Sequence, residues 1–506
     1  MSAKAAPIGS EATKLLGSSW LVRQIRVIAA DARFAWVATT GALCFAVNLF
    51  FSRYFFWDSN LDLTGGRFIA HHGIPRHEVL TTVAKRSWID QQWLAHWIYY
   101  EAWTLGGYPL VAALSSVLVA SAFTLLAALL VARSVPPQRA FLWTLVAFIA
   151  CFGNTVIRAQ SFAYPLFVLL LWAILADARR PSPRFLLVVP ILVLWSNLHG
   201  TVLLGILLVG GYSAVRLLIA ARNRKLDVAA VYSTASLTAV ASLFANPYGL
   251  SIVHYYRALI GNTVVSHYIV EWAPPSLGNI TSLGFFVLLF VVTGAAAYGV
   301  GRGCRLTPTL VVIVVSLALL ASQGVRYQAW FALAGVLLAA ETLAVVRPSP
   351  PELPIRVRSA GALAVFGFVV IALVVLGRTS NATFERLAPL DAMSAAASYT
   401  EAHPGATILA DEQSSSALLW LYPRTAGHVA FDARLEQYRD PRLKSWFTYI
   451  TGSEPGWPSL AADYDVLVAS RKENPSLAAR LEKLSGWRII VTDDEGIALV
   501  REKNRA

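Results

Sequence analysis

The sequence predicts a polytopic α-helical membrane protein ending in a small α/β domain, and three observations carry that prediction. Of the 506 residues 56% are hydrophobic and only 14% charged, whereas soluble chains carry roughly a quarter charged residues. Apolar runs long enough to cross a hydrocarbon core of about 30 Å recur until about residue 380. Beyond that point the composition returns to soluble values, with β-type runs alternating with helical ones.

The expected spans fall near 34–51, 110–132, 140–156, 161–176, 184–197, 200–220, 228–245, 281–300, 307–322, 327–346 and 357–377, about eleven in all. The first thirty residues do not have the shape of a signal peptide, because Lys14, Arg23 and Arg26 break their short apolar stretches. The first span is therefore expected to be the insertion signal. This divides the chain into a cytoplasmic tail at 1–33, a membrane domain at 34–379 with a large first outer loop at 52–108, and an outer α/β domain at 380–506.

Charge sets the expected orientation. The formal net charge is +13, but residues 380–506 hold 14 Lys and Arg against 17 Asp and Glu, so the whole basic surplus lies in the membrane part. That placement argues against nucleic acid and for orientation signals. Taken alternately, one set of loops has about nineteen basic residues, including Arg133, Arg139, Arg179, Arg302 and Arg305, and the other about nine. The positive-inside rule puts the richer set in the cytoplasm and the C-terminal segment outside. Every chemically distinctive motif then falls on the outer face.

The first loop, from Trp57 to Gly107, is the richest of these. It contains Asp58, Asp62, Glu78, Asp90 and a dense run of Trp and Tyr. Ser59 with Asp62 suggests a helix start, and His72-Gly73-Ile74-Pro75 a stop. A second helix is expected from Ser87 to Leu105, ending at Gly106-Gly107, with Trp93, Trp97 and Tyr100 forming an aromatic stripe suited to the headgroup zone. Further along, Asn197-Leu198-His199-Gly200 interrupts an apolar run, and polar backbone at that depth is tolerated where it lines a wet cavity. In the C-terminal segment strands are expected at 405–410, 428–433, 465–470, 488–492 and 496–500, the last two as a hairpin about Asp493-Asp494-Glu495-Gly496.

Each candidate residue has two readings. Asp58 and Asp62 either act as general base near the membrane surface or serve as a solvated boundary residue and a helix cap. Arg158 and Arg326, at outer ends of spans, either bind an anionic lipid phosphate or snorkel to headgroups. Glu271-Trp272 either meets a sugar or belongs to the interfacial belt. His71, His72, His77 and His96 could join nearby carboxylates about a divalent cation, although their spacing matches no zinc signature. Cys44, Cys151 and Cys304 form no CxxC and read as packing residues. No GxGxxG or P-loop points to a nucleotide.

Several of these stretches resemble a group of bacterial polytopic proteins related to the C-type (GT-C) glycosyltransferases. The likeness rests on Asp58, Asp62 and Gly66-Arg67, on His72-Gly73-Ile74-Pro75, and on Trp88-Ile89-Asp90-Gln91-Gln92-Trp93-Leu94. It extends to Arg158-Ala159-Gln160, Trp195-Ser196-Asn197-Leu198-His199-Gly200, Asn246-Pro247-Tyr248-Gly249 and Asp432-Ala433-Arg434-Leu435-Glu436-Gln437-Tyr438. The resemblance implies a GT-C-like fold and transfer of a sugar from a polyprenyl-phosphate-linked donor to a glycan, lipid or protein acceptor at the outer face of a bacterial inner membrane. It implies Asp58 or Asp62 as the base. Arg67, Glu78, Asp90, Arg158, Gln160, Asn197, His199, Glu271 and Arg326 are the expected substrate contacts. The aspartates are spaced more widely than the usual adjacent acidic pair, His77-Glu78 stands for an expected Asp, and Ala159 replaces a Pro. The competing class is a non-enzymatic transporter or scaffold for lipid-linked glycans.

Overall fold

A computed structural model describes residues 31–502, apart from 85–86, 261–262 and 349–350. The basic tail ahead of Asp31 and the Ser349-Pro350 part of the Pro-rich linker thus lie outside the described residues. Each expected span coincides with a helix, but only seven helices are long and apolar enough to cross a membrane. Those at Pro137–Ala150, Val188–Leu198, Leu226–Ser242 and Pro308–Ala321 are shorter. Proline sets two of these limits, occupying the first turn of both Pro137–Ala150 and Pro308–Ala321, where its missing N–H costs nothing.

The membrane part packs around Phe123, Phe167, Trp195 and Trp330, all essentially inaccessible. Outward residues such as Leu207, Leu218, Phe290 and Val312 are exposed and apolar, a surface that only lipid can cover at this extent. Buried polar groups are paired across helices. Asn48 Nδ2 donates to Thr155, Ser116 Oγ donates to Asn48, and Tyr212 and Tyr232 both donate to Asp177. Such bonds hold helices together where no hydrophobic drive acts between them. The chain is a multi-pass membrane protein.

The expected loop helix is present as Trp57–His72, starting two residues before Ser59. Ser59 Oγ accepts from the Phe56 N–H, and Gly73, at φ +78°, closes the other end in a conformation that favours glycine. The second expected helix differs more. It begins at Trp93, because Asp90 Oδ1 instead accepts from the Gln92 N–H in a turn, but it ends at Gly106-Gly107 as expected. Those glycines, at non-helical backbone angles, divide the stretch Trp93–Ala132 into two helices that meet at a kink. The aromatic stripe does not lie wholly against headgroups. Tyr100 is buried and Trp93 half-buried, whereas Trp97 is exposed.

The C-terminal sheet has the order β1 (Ile408–Ala410), β2 (Val466–Ser470), β4 (Gly496–Arg501), β3 (Trp487–Thr492). β1 and β2 are parallel and the other pairs antiparallel, so the predicted terminal hairpin forms. β2 and β4 are buried on both faces between helices, which is why they read as unbroken apolar runs. The run at 428–433 is not a strand. Only Val429 bridges, to Thr81 and Ile408, before the chain turns at Asp432, whose N–H donates to the Tyr438 hydroxyl. Through that bridge the first loop joins the sheet: Thr82 N donates to Val429 O and Gly427 N to Leu80 O. Leu80 and Trp88 accordingly belong to the same core as Met393, Val468 and Val500.

Candidate active site

The loop helix, the start of the Trp93–Ala132 stretch, three span ends and the C-terminal segment meet at a cavity of about 290 Å³. Asp58 lies in the first turn of the loop helix, where the macrodipole favours a carboxylate, and Asp62 follows one turn later on the same face. Asp62 Oδ1 is 3.1 Å from His96 Nε2, and His96 Nδ1 is 2.9 Å from Asp90 Oδ2. One imidazole thus bridges two carboxylates from opposite ends of the first loop, with all three side chains buried.

Gly65 and Gly66 are the reason the two helices can approach this closely. A Cβ on Gly66 would lie 2.1 Å from the His96 carbonyl oxygen, and one on Gly65 2.7 Å from His96 Nδ1. The glycines that weaken the helix in isolation make room for His96. Gly66→Ala is expected to cost about 1–3 kcal/mol through overpacking and to push His96 away from Asp62. Thermal unfolding and a lowered transfer rate, measured together, check this; an unchanged Tm would show that the packing is slack.

Arg158 stands on extended backbone just before a short 3-10 turn, Ala159–Phe162. Its Nη1 lies 3.0 and 2.8 Å from the two Glu271 oxygens and 3.9 Å from Asp58 Oδ2. Glu271 is in turn tied to the loop of Arg326, whose N–H donates to Glu271 O at 2.8 Å. The Arg326 guanidinium lies 3.9 Å over the Trp272 ring and makes no ion pair among the described residues. His199 enters on extended backbone, at the end of Val188–Leu198, with Nδ1 2.8 Å from Thr201 Oγ1. Arg158 Nε and both amide atoms of Gln160 are buried without a hydrogen-bond partner among the described residues. Unpaired buried donors are costly, and at a cavity wall they mark where a ligand's polar atoms can bind.

The electrostatics separate the two exposed carboxylates. Burial pushes Asp58 up to about 6, opposed by Arg158 and reinforced by Glu271 and Asp62. Its side chain keeps 40% of its surface, but that surface faces the cavity. Burial also acts to raise Glu271, yet Arg158 and Arg326 outweigh it and leave that carboxyl below the ordinary glutamate value. Asp62 is raised by burial against the pull of His96. Of the two exposed carboxylates, Asp58 is therefore the one poised to exchange a proton near neutral pH, while Glu271 stays ionised as the partner of Arg158.

Archaeal oligosaccharyltransferase AglB from Archaeoglobus fulgidus, in complex with an inhibitory peptide and a dolichol-phosphate, matches 93% of this chain and 75% of its own, with a TM-score of 0.53 at 11% identity. The chain has the oligosaccharyltransferase fold. The apo form of the Archaeoglobus fulgidus oligosaccharyltransferase matches 97% of this chain and 75% of its own, with a TM-score of 0.52 at 10% identity. The GT-C resemblance read from the first-loop motifs therefore holds at the level of fold. No family model and no curated protein sequence matches the chain.

Within this oligosaccharyltransferase fold, eight of the eleven expected site residues line the cavity: Asp58, Asp62, Asp90, Arg158, Gln160, His199, Glu271 and Arg326. Three lie elsewhere. Arg67 donates to the carbonyls of Leu419 and Trp420 and stacks on the Trp420 ring. Glu78 forms a buried ion pair with Arg434, Nη1 to Oε2 at 2.7 Å, and caps the N–H groups of Leu80 and Thr81. Asn197 accepts from Trp93 Nε1 and donates to Val193 O and Ala245 O, so it fixes the turn that presents His199. Conversely, His96, Gln91, Arg434 and Glu436 line the cavity and were not among the expected contacts. Burial raises the Glu436 carboxyl to about 7, against the pull of Arg434.

For a divalent cation the donor set fits poorly. Asp58 and Glu271 face Arg158, and Asp62 and Asp90 face His96, so each carboxylate pair already encloses a positive group of the protein. Among the described residues no group of three or more His, Cys, Asp or Glu is arranged to hold a metal ion.

Proposed function

We propose that this chain is a glycosyltransferase of the GT-C type that moves a sugar from a polyprenyl-phosphate-linked donor to a cell-envelope acceptor. Eleven crossings would place its cavity and C-terminal segment on the outer face of a bacterial inner membrane. One observation carries the reading: a raised carboxylate, Asp58, shares a cavity with Arg326, a guanidinium with no ion pair among the described residues, in a fold shared with an oligosaccharyltransferase captured with dolichol-phosphate.

Asp58 takes the proton from the acceptor hydroxyl as its oxygen attacks the anomeric carbon. The bond from that carbon to the phosphate oxygen breaks on the opposite side, which inverts the centre, and the polyprenyl phosphate leaves with the electron pair. Arg326 holds the departing phosphate together with the unpaired Nε of Arg158, while Glu271 fixes the Arg158 fork. Asp62, His96 and Asp90 hold the loop helix against the start of the Trp93–Ala132 stretch and so position Asp58. The acceptor can be a glycan, a lipid or a protein, each of which can offer a hydroxyl to Asp58.

The purified chain, supplied with a panel of polyprenyl-phosphate-linked sugars, should release polyprenyl phosphate; the transporter and scaffold readings predict no release from any donor. The rate should fall on the acid side with an apparent pKa near 6, because protonated Asp58 is no base. Glu436→Gln should leave that limb in place, and if it removes the limb the titrating group is Glu436 rather than Asp58.

A further inference from the structure

The kinked helical stretch that carries His96 near its start ends at Ala132, and there a second cavity of about 300 Å³ opens, remote from the first. Arg133, Arg179 and Arg305 line it against a single acid, Glu341. Arg133 is nearly inaccessible. Its Nε and Nη2 pair with Glu341, Nη2 also reaches Thr307 Oγ1 at 3.3 Å, and Nη1 is buried with no hydrogen-bond partner among the described residues. The pairing with Glu341 therefore fixes the guanidinium and leaves one edge of it unsatisfied. Arg179 and Arg305, both exposed, stand at the rim. Part of that rim is apolar, since Val345 is 70% exposed beside the half-buried Leu306.

We infer that this cavity binds the phosphate of an anionic phospholipid headgroup. A buried guanidinium with a free edge supplies directional donors to a phosphate oxygen, and the two rim arginines supply the field that draws an anion in. An exposed valine at the mouth suits an acyl chain and has no use for a free ion. The loops concerned belong to the arginine-rich set expected in the cytoplasm, where the leaflet is rich in acidic lipids. The ligand thus occupies the end of the protein away from the proposed chemistry, and its binding is independent of transfer.

The test uses the full chain in phosphatidylcholine nanodiscs with and without phosphatidylglycerol, reading Tm and the phospholipid retained in native mass spectrometry. Wild type should retain phosphatidylglycerol selectively and gain Tm. A basic side chain near an anionic surface contributes about fivefold in affinity, so Arg179→Gln with Arg305→Gln should weaken retention roughly thirtyfold. Both residues are exposed, so the double variant should insert and fold as wild type does. Replacing the same two by Lys should restore much of the binding. Equal retention of the zwitterionic and acidic lipids by wild type would overturn the site, as would lysine variants no better than the glutamine ones. Inorganic phosphate alone, if it raised Tm as far as phosphatidylglycerol, would overturn the lipid assignment in favour of a free anion.

Discussion

Asp58→Asn is expected to reduce sugar transfer by a factor on the order of 10²–10⁴, the usual contribution of a general base, while leaving the Tm unchanged or higher. The second half of that expectation follows from the sign of the shift. Burial raises the folded-state value to about 6 from the ordinary 3.8, so the folded protein holds this proton more tightly than the unfolded chain does. Stability is lost as pH rises from about 3.8 to about 6, and above that range the full cost of the buried charge is present. A neutral amide of the same shape removes the cost at neutral pH and keeps Arg158 paired with Glu271. Asp62→Asn should behave differently. It takes away a carboxylate 3.1 Å from a buried imidazole, so transfer and Tm should fall together. Full transfer by the Asp58 variant in donor-release assays would remove Asp58 from the mechanism.

Arg434→Ala should be the most destabilising single change outside the membrane. Its Nη1 and Nη2 lie 2.7 and 2.9 Å from the Glu78 oxygens, and its Nε lies 2.8 Å from Asp432 Oδ2. Glu78 and Asp432 are themselves buried at 5% and 0% side-chain exposure, so truncation strands two carboxylates away from water. Breaking a buried pair from one side costs about 3–5 kcal/mol. Arg434→Lys should recover little, because a point charge cannot serve both partners in the planar arrangement of the guanidinium. Neutralising all three positions with apolar residues of similar volume should restore most of the loss. Chemical denaturation followed by tryptophan fluorescence reads the series, since Trp88 lies under the guanidinium. An Arg434→Ala protein with the wild-type midpoint would mean that water reaches the cluster.

The fold was largely legible because apolar runs, their charged flanks and the Gly-Pro punctuation are local signals. The terminal hairpin and the stop at Gly73 were read from a few adjacent residues. Crossing length was legible in part: the runs at 140–156, 184–197 and 307–322 are short in the sequence and give short helices, whereas the short run at 161–176 belongs to the longer stretch Ala159–Arg179. The site was legible where a residue departs from its surroundings: His199 breaks an apolar run, and Arg158 and Arg326 sit at span ends. It was opaque where a role depends on a distant partner. Glu78 and Arg434 lie 356 residues apart, and nothing near either one shows that they neutralise each other. His96 had a local sign that was easy to misread, because Gly65-Gly66 looks like a defect in a helix until a second helix is set against it.

The hydrogen-bonded join between Leu80–Thr82 and Gly427–Val429 has a consequence for the order of assembly. The ribosome delivers the first loop long before the segment that completes its sheet, with most of the spans inserted in between. The wall of the cavity formed by Arg434 and Glu436 therefore cannot exist until the chain has been made well past its last span. An interrupted chain could occupy the membrane with most of its helices in place, yet its acidic loop would stay open to solvent. Synthesis of the segment beyond the last span is thus the step that walls in the cavity begun by the first loop.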